Sequence, residues 1–276
     1  FSCAIPPRPI GGPRMLRAAR IGAPLGLRRW CAPGGGSVQM AVRENLAAVQ
    51  AAVEKAALVR AESMKESVPP PVRLVAVSKT KPVEALKEAY DAGQRHFGEN
   101  YVQEIIDKAP QMPEDTQWHF IGHLQGNKVG ALVKGVPTLA CLETIDSEKL
   151  ARNLDKAWGA AYPDRRLRVM VQVNSSGEES KNGLDAAEVV PLCRAIVDEC
   201  KSLELAGLMT IGAPDYSGCR GEDFELLHKC RSELATALGV EIDSLELSMG
   251  MSSDYENAIR HGSTSVRVGS SIFGAR

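Results

Sequence analysis

The sequence has almost no net charge: 33 basic residues face 34 acidic ones over 276 positions, a formal −1. A nucleic-acid binder usually carries a basic excess or stripe, and a charged disordered chain carries an excess of one sign, so neither class fits. Long apolar runs are missing too. None approaches the roughly 18 residues that a helix needs to cross a bilayer, so no membrane span is expected. There is no C-x-x-C pair. The seven cysteines (Cys3, Cys31, Cys141, Cys193, Cys200, Cys219, Cys230) are odd in number and scattered, which reads as reduced thiols in an intracellular protein. A disulfide framework or zinc site would space them otherwise.

The sharpest absence is local. The first 43 residues hold no Asp or Glu, while Arg8, Arg14, Arg17, Arg20, Arg28, Arg29 and Arg43 all fall there among prolines and glycines. Such a stretch buries too little apolar surface to offset its ordering entropy, so residues 1–40 are expected to be a disordered leader. An Arg-rich, acid-free lead also describes a transit peptide, which would take the protein to a mitochondrion or plastid. The other reading is upstream sequence before a start at Met15 or Met40, with a cytoplasmic protein following.

What remains has the texture of a folded protein, with 44% hydrophobic and 24% charged residues over the chain, enough for one large domain or two small ones. The pattern over 41–67 predicts a helix ended by Pro69–Pro71. After it, eight short β-rich runs alternate with helical patterns. The runs are 73–78, 95–98, 118–122, 138–142, 167–174, 203–209, 244–248 and 264–269. Helices are predicted near 82–92, 100–108, 124–134, 147–158, 185–200, 221–238 and 254–261, with Pro82 in a first turn and Ser253 and Glu256 as a capping box. Alternation of this kind means parallel strands with right-handed crossovers. Eight repeats are the size of a (β/α)8 barrel. An open doubly wound sheet would place a Gly-rich turn after its first strand, and here that turn reads S-K-T-K-P. The expected fold is therefore a single (β/α)8 domain over 41–276 with an opening helix that covers part of the gap after the eighth strand.

Barrel chemistry sits at the carboxyl ends of strands. That rule selects Lys79, Glu99 and Asn100, Gly122 and His123, Glu143, Asn174, Thr210, Ser248 to Ser253, and Gly269 to Ser271, with Arg267 just inside. Lys79 follows an apolar run, and partial desolvation there would free its amine to condense with an aldehyde. A surface lysine at a strand end is the plain alternative. Phosphate sites in barrels commonly lie after strands seven and eight, where this chain reads S-M-G-M-S-S and V-G-S-S. Together these features point to a phosphorylated carbonyl ligand. Other motifs fail. H-F-I-G-H lacks the glutamate of a zinc protease, and G-H-L-Q-G-N-K lacks P-loop spacing. His96, His228 and His261 read as isolated structural or solvated residues, and Cys193 with Cys200 as a core stripe.

The strings VAVSKTKP, FGENYVQE, WHFIGHLQ, SGEESKNGL, GLMTIG, ELSMGMSSD and GSTSVRVGSSIFG, in this order from residue 75 to 274, closely resemble the pyridoxal phosphate homeostasis protein family, also called the proline synthetase co-transcribed homologue family. The resemblance implies a TIM-type barrel of the alanine-racemase N-terminal-domain kind that binds pyridoxal 5′-phosphate (PLP). It implies a lysine aldimine at Lys79, Asn100 near the cofactor ring, and Ser248, Met249 and Ser252 along its phosphate and ring side. Gly269 and Ser270 would hold the phosphate, Arg267 would face the pyridine nitrogen, and Lys81 would be an accessory lysine. An arginine there keeps the nitrogen unprotonated and the ring a poor electron sink. The implied role is buffering PLP and supplying PLP-dependent apo-enzymes, as a monomer without robust turnover. The alternatives are an alanine-racemase-type enzyme, for which a base on the second substrate face is not found, and a Schiff-base aldolase acting on phosphosugars.

Overall fold

A computed structural model gives the architecture and describes residues 36–64, 71–175, 182–211 and 220–275. Eight parallel strands close into a barrel in sequence order. They are β1 Arg73–Val77, β2 His96–Glu99, β3 Gln117–Phe120, β4 Leu139–Ile145, β5 Leu167–Gln172, β6 Leu203–Met209, β7 Glu246–Ser248 and β8 Ser265–Val268. Helices α1 Gly36–Met64, α2 Val83–Asp91, α3 Val102–Lys108, α4 Val129–Gly135, α5 Glu148–Ala161, α6 Ala186–Glu199, α7 Gly221–Leu238, α8 Tyr255–Arg260 and α9 Ser270–Phe273 form the outer ring. The fold is the expected TIM-type barrel. Its closure comes from β1, which pairs with β2 on one side and with β8 on the other (Ala76 opposite Val268).

Two-sided burial explains why the strands read as they do. Leu74 and Ala76 pack outward into the shell between sheet and helices. Val75 and Val77 are equally buried but face the lumen, where a side chain at Gly98 would meet both. The helices answer with apolar stripes. In α5, Ser147 caps the first turn by accepting from the Leu150 N–H at 3.4 Å, and Leu150, Leu154 and Trp158 lie four residues apart on the buried face. Full burial of one such leucine stabilises by roughly 1.5–3 kcal/mol.

Several boundaries differ from expectation. Helix α1 starts at Gly36 rather than 41 and closes the ring by packing against α2, α8 and α9, where Asn45 Nδ2 donates to the Ile272 carbonyl at 3.2 Å. A helix does follow the eighth strand. At four residues, α9 is too short to show periodicity. The Ser253–Glu256 capping box does not form: α8 begins one residue later, and the side chain of its N-cap residue Asp254 accepts from the Met251 N–H at 2.6 Å. Pro82 precedes the first turn of α2. The leader expectation for 1–40 falls, over 1–35, outside the described residues. No helix among the described residues is long and apolar enough to cross a membrane. Cys141, Cys193, Cys200 and Cys230 are free, buried thiols.

Candidate functional site

Inward parity along each strand builds the lumen. Contacts between non-adjacent strands can only run through it, and they identify its layers. At the amino end, Arg73 of β1 grips Glu246 of β7 in a two-pronged pair (2.6 and 2.9 Å), and Arg168 of β5 reaches the same carboxylate at 2.7 Å. Burial pushes the Glu246 carboxyl up, but the two arginines outweigh it and the net shift is downward.

One layer higher runs a buried polar chain that the sequence reading did not assemble. His96 Nδ1 lies 3.0 Å from His119 Nε2, and His119 Nδ1 lies 2.6 Å from Glu143 Oε1. The Ser248 hydroxyl donates to Glu143 Oε2 at 2.6 Å and accepts from Arg267 Nη1 at 2.6 Å. Arg267 Nη2 donates to the Thr210 carbonyl at 2.6 Å. Burial raises the Glu143 carboxyl, but the His119 hydrogen bond, the Arg267 charge and the Ser248 hydroxyl prevail and hold it at about 2. Glu143 therefore stays ionised. Between His96 Nδ1 and His119 Nε2 the donor is set by the tautomer. Burial, then His119 and Arg73, lower His96 to about 4. His96 is thus not isolated. His228 and His261 stand apart from this chain, His228 beside Arg231 at 3.4 Å and His261 against the Phe224 ring. His119, Cys141 and Glu143 bring three metal-type ligand atoms within 4.8 Å, two of them already bonded to each other.

The mouth lies above this chain. Lys79 lies two residues past the end of β1, in the turn that follows it, and is half-buried at the rim. Gly269 lies against the end of β1, its would-be Cβ 3.1 Å from the Val77 carbonyl, so the turn after β8 adjoins the lysine strand. The Gly269 N–H donates to Ser252 Oγ at 3.1 Å, which joins the turns after β7 and β8. Ser270 is exposed beside them. On the other flank of Lys79, Asn100 continues the inward parity of β2, and its Oδ1 is buried without a partner among the described residues. Gly122 is required here, because a Cβ would sit 2.0 Å from the Asn100 carbonyl. Lys79, Asn100, Ser248, Ser252, Arg267, Gly269 and Ser270 therefore converge on one end of the lumen. The Met249 side chain does not. It is wholly buried in the shell, one step out of parity with Ser248. Lys81 Nζ donates to the Ala275 carbonyl at 2.8 Å.

Comparison with known proteins fits this arrangement. Residues 54–276 match the family described as alanine racemase, N-terminal domain. A pyridoxal phosphate homeostasis protein of Bos taurus is 48% identical over 251 residues, which are 88% of this chain and 90% of that protein. The chain belongs to the pyridoxal phosphate homeostasis protein family. The structure of PipY of Synechococcus elongatus PCC7942 with PLP bound superposes with a TM-score of 0.62 at 35% identity, over 78% of this chain and 98% of PipY. Alanine racemase of Corynebacterium glutamicum has a TM-score of 0.61 at 16% identity, over 86% of this chain and 62% of the racemase, and supports the shared fold alone.

The family's name raises the question of whether this mouth suits a phosphorylated pyridine aldehyde. It does on three observations: a primary amine at the rim, an orphaned buried acceptor on Asn100, and a buried guanidinium one layer down. The β7 and β8 turns add the hydroxyls of Ser252 and Ser270, donors that suit an anion.

Proposed function

We propose that this chain binds PLP at the carboxyl end of its barrel, linked covalently to Lys79, and that it buffers the reactive aldehyde and supplies PLP-dependent apo-enzymes. The observation that carries this reading is the adjacency of β1 and β8, which sets the Lys79 rim beside the Gly269–Ser252 turn pair. Bound PLP supplies an aldehyde carbon that condenses with a primary amine, one water leaving. The chain's residues do the rest. Lys79 offers the amine. Ser252, Ser270 and the turn N–H groups suit the phosphate, and Asn100 lies toward the ring.

Arg267 bears on the chemistry that the site would support. Its guanidinium cannot release a proton at ordinary pH, so it can only donate to the pyridine nitrogen and keep that nitrogen unprotonated. An unprotonated ring withdraws electrons weakly, which disfavours carbanion chemistry and favours holding the cofactor. Glu143 keeps Arg267 in place through Ser248, the carboxylate Oε2 lying 4.0 Å from Nη1.

The test is direct. Purified protein mixed with PLP is expected to gain a visible absorbance band, and borohydride should fix the cofactor's mass on the Lys79 peptide. Lys79→Ala should lose both while its fold, followed by circular dichroism, stays intact. Absence of the band in the unaltered protein would end the reading. Production of D-alanine from L-alanine above the rate with free PLP, followed by chiral chromatography, would turn it toward a racemase.

A further inference from the structure

The lysine rim is held from outside the barrel by a second, separate polar cluster. Its centre is Lys108, the last residue of α3, whose ammonium group is buried. Lys108 Nζ donates to the Ser78 carbonyl at 2.9 Å, to Glu99 Oε1 at 2.8 Å and to Glu104 Oε2 at 2.8 Å. Three donors thus meet three acceptors, which saturates an ammonium group. The cluster reaches the residues on both sides of Lys79. The Ser78 hydroxyl donates to Glu99 Oε1 at 2.7 Å, and the Thr80 N–H donates to Glu104 Oε2 at 2.8 Å.

Thr80 shows why such a clamp is needed. The turn from Ser78 to Lys81 is closed by the Lys81 N–H on the Ser78 carbonyl at 3.0 Å, and Thr80 takes its third position with φ 63°. A turn with positive φ there ordinarily uses glycine or asparagine. A β-branched residue in that region is strained and persists only where its surroundings over-determine it. Among the described residues, Thr80 is the one non-glycine residue with positive φ, and it directly follows Lys79.

We propose that Lys108 is a positioning residue for Lys79: by holding Ser78 and, through Glu104, the Thr80 N–H, it keeps the strained turn that aims the Lys79 amine over the mouth. Without Lys108, Glu104 is no longer anchored and Thr80 relaxes toward negative φ. The lysine then samples other directions. Apparent affinity for an aldehyde ligand falls in proportion to the fraction of chains whose turn is still competent. The consequence for PLP rests on the PLP reading above. The clamp on the turn does not.

The experiment compares the unaltered chain, Lys108→Met, Thr80→Gly and the double variant. PLP affinity is read from the visible band, and exchange of the Thr80 amide hydrogen is followed in each ligand-free protein. Lys108→Met is expected to weaken PLP binding about tenfold, equivalent to about 1.4 kcal/mol, and to speed Thr80 exchange. Glycine adopts positive φ without cost, so in the Thr80→Gly background the same change should weaken binding by less than about threefold. An equal loss in both backgrounds would overturn the proposal, since Lys108 would then act as general core. So would binding by Lys108→Met within about twofold of the unaltered chain. If Lys108→Met does not fold, Glu104→Ala removes the acceptor of the Thr80 N–H while leaving Lys108 its other two acceptors, Ser78 and Glu99. It should speed Thr80 exchange and weaken binding in the same Thr80-dependent way, and no change would refute the clamp. Failure of the unaltered protein to take up PLP would defeat the PLP reading, and Thr80 exchange would still decide the clamp.

Discussion

The two ends of the barrel lumen are both polar, yet they are built to opposite rules. At the amino end, charges are paired: Glu246 takes both arginines, Arg73 and Arg168, at 2.6 to 2.9 Å, and Arg168 also lies 3.8 Å from Glu204. At the carboxyl end one group lacks a partner and another is strained: Asn100 Oδ1 is unpaired among the described residues, and Thr80 sits at φ 63°. A buried polar group without a hydrogen bond costs about 1–3 kcal/mol, so natural chains leave few. The lower end, although Ser265 Oγ beside Arg73 also lacks a partner among the described residues, is closed by its ion pairs as a plug, and the upper end is a socket in which an unpaired acceptor and a strained turn stand beside the lysine rim. The chain from His96 to Arg267 lies between them, with the Glu143 carboxylate joined through Ser248 to the Arg267 guanidinium.

The largest effect should come from breaking the plug. Glu246→Ala leaves Arg73 and Arg168 facing each other without their shared counter-charge. Truncating one partner of a buried pair costs several kcal/mol, and with Glu246 about a fifth exposed the expected loss is about 2 kcal/mol. Urea unfolding should show it as a lower midpoint with an unchanged slope, while PLP uptake by the folded fraction stays the same. A loss of uptake without a loss of stability would reverse the assignment of the two ends.

An intermediate effect should appear in acid, where the middle chain can be separated from the plug. His96 is lowered by burial, His119 and Arg73 from 6.5 to about 4. The unfolded chain therefore binds a proton below pH 6.5 that the folded chain refuses until about 4, so stability falls as pH drops through that window. Burial lowers His228 as well, and it shares this limb. Glu246 and Glu143, both depressed from 4.5, add their losses only below that value. In His96→Gln the melting temperature should decline less steeply between pH 6.5 and 4.5 than in the unaltered chain. An unchanged slope there would mean that His96 is not held neutral.

How much of this was legible in the residues follows from the same contrast. The barrel was, because buried parallel strands leave short β-rich runs between helices, and each of the eight runs lies on its strand to within a few residues. The places of Lys79, Arg267 and the two Gly/Ser turns at the ends of β1, β8 and β7 were, because they follow from where the strand runs stop. Parity was harder. A run buried on both faces does not say which side is the lumen, so Met249 was grouped with Ser248 although its side chain belongs to the shell. For the same reason His96, His119 and Glu143 read as separate residues and not as one chain across three strands. The positive φ at Thr80 left no trace, since glycine is the usual signal and none stands there. Lys108 carried no signal of its own, because two of its three acceptors lie on other elements.

The smallest expected effect is the most discriminating one for the socket. Asn100→Ala removes an acceptor that the ligand-free protein does not use. An ordinary buried hydrogen-bonding side chain costs about 1–3 kcal/mol when its partners are stranded, but an orphan strands nothing. The ligand-free variant should therefore unfold within about 0.5 kcal/mol of the unaltered chain, or slightly later. The same change should weaken PLP binding by about fivefold, the scale of one neutral hydrogen bond. The contrast with Glu246→Ala is the point of the pair, since one variant loses stability and keeps uptake while the other keeps stability and loses affinity. If Asn100→Ala were markedly destabilised without ligand, its Oδ1 would be serving the fold, and the division of the lumen into plug and socket would fail at the residue on which it most depends.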